Sequence, residues 1–225
     1  MTNNSVMKGS GWKYLLLALG AFAGIGLEFV ISGIGYLAFG EFPSFQGPHW
    51  QLILHWIATC LAWSCAAVLL VRLAKKKMGF DIFKKGEKMK LWQWGAVVLA
   101  IVLSLVMSYV AWHMNFKVIR EFTANGPLRF TFQYIYYIVE TALFLLIIVF
   151  GQKAFELWTK KRNIPWGGII CGLTWGIAHL ISRGFFDPAN GIGSAIAGFM
   201  FGAAYLLTNR DIKKSWFILF LMFVL

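Results

Sequence analysis

His179 and Arg183 stand on one face of an otherwise apolar stretch, PWGGIICGLTWGIAHLISRG, from Pro165 to Gly184. At helical spacing Gly168, Gly172 and Gly176 follow one another at i+4, and His179 and Arg183 continue the stripe at i+3 and i+4. Such a stripe is a bare backbone groove that ends in two polar side chains, with Trp175 beside it. Within a membrane, small residues let a neighbouring helix approach closely, and an ionisable residue there is a candidate functional site. Two carboxylates are available to act with it. Glu140 lies at mid-depth of an apolar run from Phe132 to Phe150, and Glu28 lies near the centre of the first apolar run. A carboxylate in either place is costly unless it is neutral, paired or wet, and Glu28 reads best as a protonated carboxyl bonded to a neighbouring helix. His55 and His113 are interfacial by position, yet they fall in the same outer half as His179. Glu140, His179 and a third ligand from His55 or His113 are therefore expected to be able to converge in an outward-open cavity, where their chemistry would be metal ligation or proton transfer.

The elements that must position these residues are membrane spans. The chain has 225 residues, of which 59% are hydrophobic, with 11 Trp, 21 Phe and a mean hydropathy of +0.68. That composition points to a polytopic membrane protein. Apolar runs fall at Tyr14 to Phe39, Leu52 to Val71, Leu91 to Trp112, Phe132 to Phe150, Trp166 to Ile181 and Ile192 to Leu207, with a half-length run from Ser215 to Leu225. The spacing predicts an all-α bundle of about seven spans in a single transmembrane domain, 1–225, with three N-terminal spans in 1–131. The first run reads as a retained span, since it exceeds a signal core and lacks a small-residue cleavage site.

A net charge of +12 would suggest nucleic acid in a soluble domain, but here the charges follow the loops. Alternate loops carry 17 Lys and Arg on one side and 4 on the other. This is the positive-inside pattern with the N-terminus inside, so nucleic acid is not an expected partner. The segment RLAKKKMGFDIFKKGEKMK, basic with interleaved Met, Phe and Ile, is suited to lie on anionic lipid. Cys60, Cys65 and Cys171 all fall in the expected spans without zinc-type pairing and read as small buried apolar residues. Asp187 before Pro188 reads as a turn residue, and Ser194, Gly198 and Gly202 form a second small-residue stripe. The two stripes imply that their helices pack tightly on each other or on a shared partner.

The segment WGIAH, with Trp175 and His179, resembles the aromatic-x-x-x-His motif of the CPBP membrane proteins, the group containing CAAX prenyl proteases and bacteriocin-processing or self-immunity proteins. The order downstream is similar too: a short loop, a glycine-rich span ending GFMFGAAYLLTNR, and a final apolar helix. The resemblance covers residues 132–225 and implies a CPBP-like C-terminal core in a bacterial cytoplasmic membrane. Proteases of the family share a Glu-Glu pair followed by Arg, the aromatic-x-x-x-His, and a His-x-x-x-Asn or Asp on the last core helix. Together these imply a metal-activated water with an oxyanion-holding Asn. Here Glu140 is followed by Thr141, and Leu145 stands where the arginine would be. Ungapped threading puts the pair at Leu146 and Ile147, and SWFILFLMFVL contains no His, Asn or Asp.

The resemblance thus implies a family fold whose catalytic set is incomplete. The expected function is binding within the membrane, with a peptide, partner helix or lipid-like molecule held in the groove of Gly168, Gly172, Trp175, Gly176 and Arg183, and no cofactor. The alternative is an intramembrane zinc endopeptidase with Glu140 as general base and His179 as metal ligand. A third expectation is a small-solute or proton-coupled transporter using Glu28, Glu140 and His179 as a relay.

Overall fold

The computed structural model describes residues 3–182 and 188–225, with side chains from Gly11 to Ile181 and from Pro188 onward. Arg183 and Asp187 lie outside the described residues. Eight helices make up the described chain: α1 (Asn3–Ile25), α2 (Leu27–Phe39), α3 (His49–Met78), α4 (Leu91–Ala111), α5 (Lys117–Thr159), α6 (Trp166–Ser182), α7 (Pro188–Leu207) and α8 (Ile212–Val224). Five stretches are long and apolar enough to cross a membrane: Gly11–Phe39 across α1 and α2, then α3, α4, α5 and α7. The apolar α6 is shorter, and α8 has 13 residues. The chain is an all-helical, multi-pass membrane protein. Its outward faces carry the side chains that lipid requires, among them Leu37, Leu91, Phe29 and Trp92, all exposed.

Local signals end the helices. Gly40 and Gly79 adopt left-handed backbone, with φ of 77° and 63°, a conformation that costs glycine least, and they close α2 and α3. Lys75, Lys76 and Lys77 fill the last turn of α3, where the helix dipole favours cations. The Asp211 side chain accepts the Lys214 backbone N–H at 3.1 Å and starts α8.

The central element is α5. Leu143 through Phe150 are buried without a break, and a helix that is apolar all round must lie inside the bundle. It packs against α1 and α3 on one side and against α6 and α8 on the other, so the division at 131/132 falls inside a helix shared by both halves.

The stretch from Lys117 to Arg129, which lies between two of the expected apolar runs, is helical. It joins the following helix through a kink at Gly126, where φ is 65° and ψ is 172°, followed by Pro127. Proline cannot donate to the preceding turn, and the bend at Gly126 returns the first segment along the second. From Pro127 to Thr159 the helix then runs roughly 50 Å at about 1.5 Å per residue.

The two small-residue stripes pack on each other. A Cβ at Gly198 would stand 2.6 Å from the Gly172 amide nitrogen, and one at Gly168 would stand 2.6 Å from the Phe199 carbonyl oxygen. A Cβ at Gly202 would press on Gly168 itself. Gly168 is therefore closed by α7, whereas Gly172 and Gly176, packed against Ala195, stay at the edge of a shallow cavity. Cys65 is also exposed on the surface of α3, unlike the buried Cys171.

Candidate functional site: a buried polar layer on α5

Five polar residues of α5 follow one another at i+4, and all are buried: Lys117, Glu121, Asn125, Arg129 and Gln133. The kink turns this stripe back on itself. Glu121 Oε1 accepts from the Tyr137 hydroxyl at 2.8 Å and from Gln133 Nε2 at 3.2 Å, while Oε2 accepts from the Tyr134 hydroxyl at 3.1 Å. Asn125 Nδ2 donates to Gln133 Oε1 at 2.6 Å. A carboxylate with three donors is well compensated at that depth, whereas an unpartnered one would be costly.

Lys117 occupies the floor of this layer. Its Nζ donates to the Phe223 carbonyl of α8 at 2.9 Å and lies 4.6 Å from the ring centroids of both Tyr137 and Phe223. Two aromatic faces and a carbonyl are favourable surroundings for a desolvated ammonium.

The remaining sequence candidates distribute around Glu140. Glu28 Oε1 lies 3.4 Å from His55 Nε2, which joins α2 to α3, and His55 is buried. Trp63 Nε1 donates to the Ile25 carbonyl at 3.1 Å and holds α3 in this register. His113 sits apart, exposed in the turn after α4 with φ of 55°.

His179 approaches from α6. The rings of Phe144 and Trp175 meet at 4.7 Å, and α6 runs antiparallel to α5. One turn before Phe144 is Glu140, and one turn after Trp175 is His179, so the two occupy matching levels on adjoining helices. His179 Nδ1 lies 3.2 Å from the Trp175 carbonyl oxygen, and its ring stands edge-on to Trp175 at 5.2 Å. Trp175 itself is turned into an aromatic cluster with Phe144, Phe201 and Phe223.

A catalytic zinc takes three protein ligands. Among the described residues no three His, Cys, Asp or Glu side chains form a group that could hold a metal ion. Toward Phe144 and Trp175, α8 presents the Phe223 ring.

No family model matches this chain, and neither a curated protein nor a solved structure matches it.

Most of the layer is absent from the sequence candidates. Lys117, Glu121, Asn125, Arg129, Gln133 and Tyr137 are spaced by four throughout, and that period was the available signal. Of the expected groove residues, Gly168 is closed by α7, and Gly172 and Gly176 edge a shallow apolar cavity of about 200 Å³ with Ile177 and Ile192.

Proposed function

We propose that this chain is a CPBP-like protein of a bacterial cytoplasmic membrane, N-terminus inside, that binds a membrane peptide or partner helix and does not hydrolyse one. The observation that carries this reading is Phe223: α8, the helix on which the family's proteases carry a His and an Asn or Asp, here packs the Phe223 ring on Phe144 and Trp175, and its carbonyl accepts from Lys117 Nζ at 2.9 Å. Trp175 and His179 then keep the family-like motif as packing: Trp175 closes the aromatic core, and His179 is oriented by the Trp175 carbonyl. Binding would use the lipid-facing α6–α7 seam, where Ile177 and Ile192 are exposed beside the shallow cavity. A photo-crosslinking residue at position 177 or 192 should capture a discrete membrane species in native membranes, while the same residue at lipid-facing Val98 of α4 should not. Equal capture at all three positions would remove the seam as a binding surface.

A second reading is favoured by the Glu28–His55 contact. Glu28 and His55 are ionisable partners inside the spans, and with Glu140 of α5 they would supply the groups of a proton relay. On that reading the chain moves a solute with protons, and His55 replaces His179 in the expected relay. Reconstituted vesicles should acidify through the wild type and not through Glu28→Gln. Equal acidification by both would end the relay.

A further inference from the structure

Arg129 is a buried cation without a matching anion. It is 7% exposed, and its Nη1 donates to the Phe45 carbonyl at 2.9 Å, in the loop that joins α2 to α3. Its Nε is buried with no hydrogen-bond partner. Among the described residues, no carboxylate lies within 4.0 Å of its guanidinium. The nearest acidic residue in the α5 stripe, Glu121, is engaged by Gln133, Tyr134 and Tyr137. Glu41, at the start of the loop, is exposed and forms no ion pair there.

One neutral carbonyl does not balance a desolvated guanidinium, which presents five N–H donors in a planar fork. The ligand chemistry that matches a fork of this kind is a tetrahedral oxyanion or a carboxylate, bound by two parallel N–H···O bonds. Location decides between them. Arg129 lies two residues past the Pro127 kink, beneath the loop between the ends of α2 and α3, at the end of the spans where lipid phosphates stand. We propose that Arg129 is the cationic contact of a phosphate-binding site between the α5 kink and the α2–α3 loop. A lipid headgroup and free phosphate share this chemistry.

The test uses the full chain, delipidated in a phosphate-free maltoside detergent and treated with phenylglyoxal, with each arginine followed by peptide mass spectrometry. Exposed Arg120 serves as the internal reference. Arg129 should react in detergent alone, and phosphatidylglycerol should slow it by about ten-fold or more relative to Arg120, the effect of one charge-assisted contact. Slowing by phosphatidylglycerol alone assigns the site to a headgroup, and slowing by inorganic phosphate as well assigns it to the free oxyanion. Arg129 that is not slowed by either overturns the proposal, as does Arg129 that fails to react in detergent alone, because its guanidinium is then closed to ligands. Thermal stabilisation by phosphatidylglycerol should also shrink in Arg129→Gln and survive in part in Arg129→Lys. Should Arg129→Gln not fold, the wild-type protection experiment decides alone.

Discussion

The Tyr137 hydroxyl donates to Glu121 at 2.8 Å, and this bond ties the short segment before Gly126 to the long segment after it. Sixteen residues apart in sequence, the two groups meet because the chain reverses at the kink. The reversal carries Lys117 back to the level of Tyr137 and Phe223. Glu121→Gln should weaken that tie and lower stability by about 1–3 kcal/mol, the range for disturbing a buried charged hydrogen bond. Thermal unfolding in detergent measures it, and an unchanged midpoint would mean the fold-back is held by packing alone.

Lys117→Met should also lower stability, because it removes the bond to the Phe223 carbonyl and the contacts with the Tyr137 and Phe223 rings. A hydrogen bond from a charged group contributes about 1.5–3 kcal/mol. If Lys117 compensates Glu140, the double variant Lys117→Met with Glu140→Gln should recover part of that loss. A double-mutant cycle reads the coupling directly, and strict additivity would separate the two residues.

The α6–α7 contact makes a different demand. Gly198→Ala places a methyl group 2.6 Å from the Gly172 nitrogen, so the helices must part. Overpacking of this kind costs about 1–3 kcal/mol. Gly193, whose Cβ would meet nothing within 4 Å, provides the control, and Gly193→Ala should leave the thermal midpoint close to wild type. Equal effects at both positions would count against close packing as the role of the stripe.

Orientation can be checked on intact cells. In a variant whose three native cysteines are replaced, Ser44→Cys should react with an impermeant maleimide, and Lys85→Cys should react only after the cells are broken. The reverse pattern would invert the topology read from the distribution of Lys and Arg.

The span pattern was legible because lipid imposes it. The apolar runs from Leu91 and from Trp166 begin where α4 and α6 begin. The run TALFLLIIVF, apolar on nearly every face, holds the signal of a buried α5, but His179 and the glycines direct the sequence reading to α6 instead. The polar layer was harder to read. Lys117, Arg120 and Arg129 look like loop charges when only hydropathy is counted, and Gly126 with Pro127 looks like a loop break. The burial of Lys117 and Glu121 goes with Glu121 meeting Tyr134 and Tyr137 across the reversal, a contact that no local window contains. The Glu28–His55 pairing is likewise between helices: each residue could be assigned a depth, but not a neighbour.

Metal content tests the central claim most directly, namely that the chain binds a membrane segment and does not use Glu140 and His179 to hold a zinc. Protein purified without chelator, then equilibrated with zinc and desalted, should retain far less than one equivalent, and His179→Ala should retain the same. About one equivalent of zinc per chain, lost on His179→Ala or Glu140→Gln, would contradict the account and restore the metalloprotease reading.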